Sequence, residues 1–298
     1  MDIPIVDAHH HLWDLETNSY PWLVAPPSDH VIGDLRPLGK SYTIDDFKAE
    51  IGGHNVVKSV HIECHMYPDD PVEETKWLSG VAREHGYPHA FVVHVPLQRP
   101  DAQQMLERHL EYANVRSVRH MLLWHPDPKK TFFESDLIRS HDWRRGFALL
   151  KRYGLSFDLA VYPNQMEDAA ELARRHPDLP IVLLHAGMPI DSDPEGWQRW
   201  RAGMKLMAAC DNVWVKVSGW GMIDNQWRGD AARLAPLVHE TLEMFGTDRA
   251  MFASNFPVDR LYSDYASIWR AFDALTRSFS EAERHRLFHA NAEQFYRI

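Results

Sequence analysis

The chain has 298 residues, of which 45% are hydrophobic and 25% charged, as in ordinary globular proteins. Its 32 basic and 42 acidic residues give a formal net charge of −10, which argues against binding to nucleic-acid phosphates. Only two cysteines occur, no basic-then-apolar leader opens the chain and no apolar run reaches the length of a membrane span, so we expect a cytoplasmic protein without disulfides or membrane contact.

The first predicted strand, Ile3–Ala8, runs into a histidine triplet, His9-His10-His11. Alternate residues of a strand face the same side, so His9 and His11 are expected to point one way and His10 the other. Two imidazoles that project together can share a metal ion or polarise one carbonyl group. The alternative is that they are structural histidines of the core or of a cap.

Short β-branched runs recur along the whole chain, each followed by a helical pattern. The runs are nearly continuous in apolar residues, which is typical of strands buried on both faces. The eight predicted strands are Ile3–Ala8, Val57–Cys64, Ala90–Pro96, Val115–Leu123, Leu155–Val161, Pro180–His185, Asn212–Ser218 and Ala250–Ser254. The predicted helices are one that begins after Thr43, then Val72–His85, Ala102–Ala113, Asp142–Tyr153, Gln165–Arg175, Glu195–Ala209, Asp230–Phe245 and one capped by Ser280 with Glu283.

Eight strand–helix units in one chain predict an α/β protein, a single (β/α)8 TIM barrel that spans residues 1–298. A doubly wound open sheet is the alternative fold. It is less favoured because histidines, and not a glycine-rich phosphate loop, follow the first strand.

Polar side chains follow almost every predicted strand, at the end where a barrel places its active site. They are His9 and His11, then His61, Glu63 and His65, then His94, then Arg119, His120 and His125, then Asp158 and Tyr162, then His185, then Lys216, Ser218 and Trp220, and finally Asn255 and Asp259. Each could be structural alone, but their convergence predicts a functional pocket. The long segments Leu12–Pro37 and Met188–Trp200 leave the same ends and indicate a lid or a pocket wall, unless their aromatic residues only pack the loops down.

The chain resembles the amidohydrolase superfamily, and within it the amidohydrolase-related group of sugar lactonases and pyrone-dicarboxylate lactonase. The resemblance rests on seven stretches in the same order along the chain. They are VDAHHHLWD at 6–14, YPWL at 20–23, VRSVRHML at 115–122, IVLLHAGMP at 181–189, VWVKVSG at 213–219, FASNFPVD at 252–259 and HANAEQFYRI at 289–298.

The resemblance implies that His9, His11 and His185 form the site. In metal-dependent relatives these positions hold one divalent ion, zinc or manganese, whereas some lactonases of the group work without a metal. Asn255 stands where the superfamily usually carries an aspartate that activates water. An amide cannot take up a proton at neutral pH, so another group, Asp259, Glu63 or a histidine, would have to be the base.

These residues suggest a hydrolase that opens the lactone of a sugar acid or of an aromatic-acid breakdown product. Histidines would polarise the carbonyl group, and Glu63, with a pKa raised by a partly apolar site, would accept a proton. In this interpretation Asn255 and Asp259 belong to the catalytic set. The alternative for Glu63 is a salt bridge to Arg119 or Lys216. The predicted substrate-binding residues are Arg119 or His120, Lys216, Trp13, Trp22 and Trp220. The alternative for Lys216 is an ion pair with a neighbouring acid.

Two other functions stay open. Similar barrels carry out the metal-dependent, non-oxidative decarboxylation of aromatic acids, and Asn255 is also compatible with a binding module on a barrel that has lost its activity. We expect a small-molecule substrate that is anionic or polyhydroxylated. A homo-oligomer is compatible with the sequence.

Overall fold

Eight parallel strands form the centre of the fold. A computed structural model of the chain describes residues 2–66, 69–133 and 135–298. The strands are β1 (Ile5–His10), β2 (Val56–Ile62), β3 (Ala90–His94), β4 (Val115–Arg119), β5 (Ser156–Leu159), β6 (Ile181–Leu183), β7 (Val213–Val217) and β8 (Ala250–Phe252), and they are neighbours in chain order.

Backbone hydrogen bonds join the first strand to the segment after the last. The amide of Asn255 donates to the carbonyl of His9 over 2.8 Å, and the amide of His11 donates to the carbonyl of Phe256 over 2.7 Å. The sheet therefore closes on itself, and the predicted (β/α)8 barrel is confirmed in preference to an open sheet.

Helices surround the barrel. They are α1 (Pro21–Val24), α2 (Ile44–Ile51), α3 (Val72–His85), α4 (Ala102–His109), α5 (His141–Arg152), α6 (Met166–Arg175), α7 (Pro194–Ala208), α8 (Trp220–Ile223), α9 (Ala231–Phe245), α10 (Tyr265–Leu275), α11 (Glu281–His285) and α12 (Asn291–Tyr296). Each of the predicted helices is present, and α1, α8, α10 and α12 were not predicted. Thr43 and Ser280 form the capping boxes of α2 and α11. A π-helical turn, Arg286–Ala290, joins the last two helices.

The barrel interior is filled by small and medium apolar side chains of alternate strand positions. Val6, Val60, Val92 and Val182 belong to this inner cluster, and Phe295 and Tyr296 of α12 pack with it. The larger apolar cluster lies between the strands and the helices. This filling leaves the other end of the strands, where the polar residues gather, as the place for a site.

A buried polar network ties three strands to the last helix. The Asp158 carboxylate accepts hydrogen bonds from the Ser117 hydroxyl, the Lys216 ammonium and the Tyr296 hydroxyl, each at 2.7 Å. Burial lowers the pKa of Lys216 to about 8, although the Asp158 charge opposes this effect.

None of the helices in the described part of the chain combines the length and the apolar character that a bilayer crossing requires.

Candidate active site

Several strands end in backbone conformations that turn polar side chains out of the barrel wall. His65 after β2, His185 after β6 and Asn255 after β8 have φ angles of 54°, 54° and 56°. Non-glycine residues rarely adopt this left-handed region, and strained backbone of this kind is concentrated at functional sites. The three side chains line one cavity of about 500 Å³.

The predicted histidine trio comes together at the floor of this cavity. The Nε2 atoms of His9 and His11 lie 3.2 Å apart, and the ring centroids of His9 and His185 lie 4.7 Å apart. His11 and His185 line the cavity directly, whereas His9 is fully buried behind them. His10 points the other way, stacks on Phe47 and lies 3.0 Å from the Ser59 hydroxyl through its Nε2.

The environment of these histidines keeps their rings neutral. Burial, followed by the charges of nearby groups such as Lys216 and Arg119, lowers the pKa of His9 and His185 well below the usual value. Burial and Arg119 lower the pKa of His11 to about 3. Neutral imidazole is the form that binds metal ions.

The hydrogen bonds of the trio leave nitrogen atoms available for a ligand. Nδ1 of His11 donates to the Ile62 carbonyl over 2.8 Å, so its Nε2 carries a lone pair. Nδ1 of His185 lies 2.9 Å from the Ser218 hydroxyl, and Nδ1 of His9 is a buried atom without a partner among the described residues. Three neutral imidazoles, two of which are oriented by a partner at Nδ1, fit a divalent cation such as zinc.

Two groups of side chains, neither of them the histidine trio, place ligand-type atoms within 4.8 Å of one another in the described part of the chain. One is His61, Cys64 and Glu74, and the other is Glu63, His65 and His94. Cys64 is a free thiol that lines the cavity, and burial raises its pKa well above the usual value.

Glu63 lies in a buried ion pair beside the trio. Nε of Arg119 donates to its Oε1 over 2.6 Å, and Nδ1 of His65 lies 2.8 Å from its Oε2. Burial alone would raise the pKa of Glu63, but Arg119 and His65 outweigh it, and the pKa lies well below the usual value. The predicted raised pKa is therefore wrong, because the opposite charges overcome desolvation.

Asp259 has the raised pKa that was expected of Glu63. Its carboxylate accepts hydrogen bonds from the Gly221 amide and from Nδ2 of Asn255, both at 2.7 Å. Burial raises the pKa of Asp259 to about 7 against the effect of these two donors. Asp259 does not line the cavity, and Asn255 lies between them.

The structure separates the predicted substrate-binding residues into two sets. Arg119, Trp13 and Trp22 line the cavity. His120 accepts a hydrogen bond from Nε1 of Trp143 over 3.0 Å and is directed toward α5, which agrees with the alternation of Arg119 and His120 along β4.

Lys216 and Trp220 lie away from the cavity lining. Lys216 is fully buried and paired with Asp158. Trp220 is buried next to Phe272 of α10, with ring centroids 5.5 Å apart. Their role in substrate binding has no support in these contacts.

His65 was among the strand-end residues but not among the predicted catalytic ones. The available signal was the Glu63-x-His65 spacing after β2, which brings a carboxylate and an imidazole together when the backbone turns at His65. The left-handed turn itself is not visible in the sequence.

The strand ends of this parallel barrel bring histidines, a carboxylate–imidazole pair and an arginine into one cavity, which is where enzymes of this fold carry their active sites. The chain belongs to the amidohydrolase family, because the sequence profile of that family matches residues 6–298, and it is a hydrolase of that family. The resemblance found in the sequence is thereby confirmed.

Three relatives illustrate this membership. The chain is 47% identical to the protein y4mH of Sinorhizobium fredii, over 100% of this chain and 99% of that protein. It is 27% identical to an L-fucono-1,5-lactonase of Burkholderia multivorans, over 98% and 96% of the two chains. A crystal structure of an amidohydrolase from Burkholderia multivorans with bound zinc superposes with a TM-score of 0.82, at 25% identity over 99% of each chain.

Proposed function

We propose that this protein is a lactonase, which opens a cyclic ester by adding water to its carbonyl carbon. The observation that carries the proposal is the Glu63–His65 pair, which shares one cavity with Arg119, His11 and His185. The similarity to an L-fucono-1,5-lactonase supports the reaction class.

His65 is the proposed general base. With Nδ1–H donating to the Glu63 carboxylate, its Nε2 keeps a lone pair that takes a proton from the attacking water. Glu63 orients the ring and stabilises the positive charge that develops on it, as the carboxylate does in a catalytic triad. Arg119 in turn fixes Glu63 through Oε1 and through its main-chain carbonyl, both at 2.6 Å.

Arg119 is the proposed hydrogen-bond partner of the carbonyl oxygen. Two nitrogens of the Arg119 guanidinium are bonded to Glu63, which leaves Nη1 to face the developing oxyanion. One donor at such a position typically contributes about 3–4 kcal/mol to transition-state stabilisation. The proton on His65 then passes to the ring oxygen as the C–O bond breaks, and a hydroxy acid is released.

The histidine trio is the proposed holder of a divalent ion. His9, His11 and His185 would bind it, and a bound ion would supply Lewis acidity at the carbonyl oxygen. Asn255 is proposed to orient water or substrate through its Oδ1, because Asp259 holds its Nδ2.

The test is a screen of lactones with a pH indicator, followed by variants measured on the best substrate. His65→Gln is expected to lower kcat by about 10²–10⁴-fold, the usual contribution of a general base. His141→Gln, a change at an exposed histidine in the first position of α5, is the control and should leave kcat unchanged.

A variant His65→Gln with wild-type kcat would remove His65 from the mechanism. Elemental analysis and carbon dioxide detection separate the alternative reaction, because a stoichiometric metal together with carbon dioxide release from aromatic acids would favour a decarboxylase. Absence of turnover on every lactone would refute the proposed function.

A further inference from the structure

We infer that the substrate is a lactone with an apolar aryl or alkyl substituent, and not a polyhydroxylated sugar lactone. This inference rests on the proposed lactonase function and names its substrate class. It differs from the anionic or polyhydroxylated substrate that the sequence suggested, and it comes from the walls of the cavity.

The cavity has a polar floor and apolar walls. The floor consists of the strand-end groups, among them His11, Glu63 and Arg119. The walls come from the loops after β1 and β4 and from single residues after β6, β7 and β8. Most wall side chains are hydrocarbon or aromatic, including Trp22, Leu35, Leu123, Phe132, Phe133 and Met222.

The two wall tryptophans have no free hydrogen-bond donor. Nε1 of Trp13 donates to the Lys40 carbonyl over 2.7 Å, and Nε1 of Trp22 donates to the Cys64 carbonyl over 2.8 Å. An indole has only this one donor, so both rings offer the cavity nothing but apolar surface. Their anchoring to the backbone also fixes this surface before a substrate binds.

The remaining polar lining is poorly suited to several hydroxyl groups. Within the described residues, Asn255 is the only amide side chain in the lining, and no serine, threonine or lysine belongs to it. His30 lies at the wall with its ring edge against Phe132, at a centroid distance of 4.7 Å. A sugar hydroxyl placed against the hydrocarbon and aromatic side chains of the walls would lose its bonds to water without replacement, which is unfavourable.

An anionic substituent would also find little compensation. Arg119 is the only lysine or arginine in the lining among the described residues, and Glu63 already neutralises it through two oxygen contacts. The carbonyl head of the lactone therefore belongs on the floor, and the rest of the molecule belongs against the apolar walls. A volume of about 500 Å³ leaves room for a substituent beside a five- or six-membered ring.

The experiment compares lactones that share a ring and differ in one substituent. The pairs are γ-phenyl-γ-butyrolactone with γ-butyrolactone and δ-decalactone with δ-valerolactone, and D-galactono-1,4-lactone and L-fucono-1,5-lactone represent hydroxylated rings. After correction for spontaneous hydrolysis, kcat/KM is expected to be about 10–100-fold higher for the apolar member of each pair, the factor expected from burying such a group. Higher kcat/KM on the hydroxylated rings would overturn the inference and leave the lactonase function intact.

Wall variants connect the preference to these residues. Met121→Gln and Met222→Gln keep the side-chain length and add polarity, so the advantage of the phenyl and alkyl substituents should fall at least fivefold. Met244→Gln, at a half-buried methionine of α9 outside the cavity, is the matched control. An undiminished advantage in both wall variants would contradict the assignment of the binding surface.

A binding measurement separates the two proposals if no lactone is hydrolysed. The lactam analogue of γ-phenyl-γ-butyrolactone, 5-phenyl-2-pyrrolidinone, is titrated by calorimetry against 2-pyrrolidinone. Tighter binding of the phenyl compound would uphold the apolar ligand class while the lactonase function fails. Equal or weaker binding would refute the ligand class as well.

Discussion

The side-chain amide of Asn255 forms one hydrogen bond to a neighbouring carboxyl group, that of Asp259. Its Nδ2 donates to Asp259 over 2.7 Å, and burial already raises the pKa of Asp259 to about 7. The amide at this position thus lets a buried carboxyl group sit next to the cavity floor without a second negative charge beside it.

The variant Asn255→Asp is expected to lose stability as the pH rises. It would place two carboxyl groups in contact, and both cannot ionise at that distance, so their pKa values rise and the pair is tolerated only while it holds a proton. We expect its free energy of unfolding relative to wild type to fall by about 1–3 kcal/mol between pH 5 and pH 9, measured by denaturant unfolding. Asn225→Asp, at an exposed site, is the control, and an equal response of the two variants would contradict the argument.

Glu74 of α3 gives a pH dependence of stability with a defined sign. Burial raises its pKa to about 8 from an ordinary value of 4.5, while the Cys64 amide donates to its Oε1 over 2.7 Å. Between these pH values the folded protein keeps a proton that the unfolded chain has released. The free energy of unfolding therefore decreases with rising pH, by at most about 1.4 kcal/mol per pH unit for this one proton.

Glu74→Gln should flatten this decrease between pH 5 and pH 8, because the amide retains an acceptor for Cys64 and does not titrate. The measurement is the melting temperature as a function of pH. Glu73→Gln, one position along α3 and paired with Lys76 near the surface, is the control. A slope as steep in Glu74→Gln as in wild type would show that the proton belongs to another group.

At the residue scale, the sequence predicted which residue types lie at the strand ends, but not the direction in which the pKa of each one is shifted. It placed Glu63, Arg119, His11 and His185 at strand ends, where they line the cavity. It could not decide that Arg119 pairs with Glu63, because that contact joins residues 56 positions apart and sets the direction of the pKa.

At the scale of elements, the segment between β7 and α8 supports His185. Gly219 has a φ of 73°, and a Cβ atom there would lie 2.7 Å from Nδ1 of His185, the nitrogen that faces the Ser218 hydroxyl. The short connection therefore needs a residue without a side chain, both for its backbone conformation and for the space that the imidazole occupies.

Gly219→Ala is expected to displace the His185 ring and to lower kcat/KM on the best lactone more than tenfold. Gly86→Ala is a matched control, because Gly86 has a φ of 77° and a Cβ there would meet no atom within 4 Å. Both variants should lose about 1 kcal/mol of stability from backbone strain. Full activity in Gly219→Ala would show that the ring position at His185 does not matter for the reaction.

The sequence predicted the existence and order of the eight strands, but not α10 and not where the strands end. The predicted strand Val57–Cys64 stops at Ile62, and Pro180–His185 stops at Leu183. In both cases the chain leaves the sheet just before a residue in the left-handed region, His65 or His185. Apolar patterns continue through such turns because the side chains stay buried, so hydrophobicity alone overestimates strand length.

At the scale of the whole molecule, the ion pair between Lys216 and Asp158 links several strands inside the barrel. The pair is fully buried, and Asp158 also binds Ser117 of β4 and Tyr296 of α12. The network thereby connects β4, β5 and β7 with the helix whose side chains fill one end of the barrel.

Lys216→Met is expected to destabilise the protein by about 3–5 kcal/mol, because it leaves the Asp158 charge buried without its cation. The double variant Lys216→Met with Asp158→Asn should recover part of this loss, since the isolated charge is gone. Urea denaturation of the two single variants and the double variant completes the cycle. A double variant less stable than Lys216→Met would argue against a charge-based role.

The closed topology was predictable from the sequence because eight strand–helix repeats leave few alternatives to a barrel. The sequence predicted a wall from Leu12–Pro37, and residues 13–35 line the cavity, but it could not predict that they face residues 121–133, because the two loops meet only after they fold over the strand ends. The substrate preference that we propose depends on this contact between the two loops.

The indole of Trp13 donates a hydrogen bond to the Lys40 carbonyl in the β1–α2 connection, and the indole of Trp22 donates one to the Cys64 carbonyl after β2. Replacement of residues 12–42 by the equivalent segment of another family member would therefore change the cavity wall and the substrates that fit against it, while the Glu63–His65 pair stays the same. If the proposed reaction holds, exchange of this one segment would alter which substrates fit without altering the proposed base and its carboxylate.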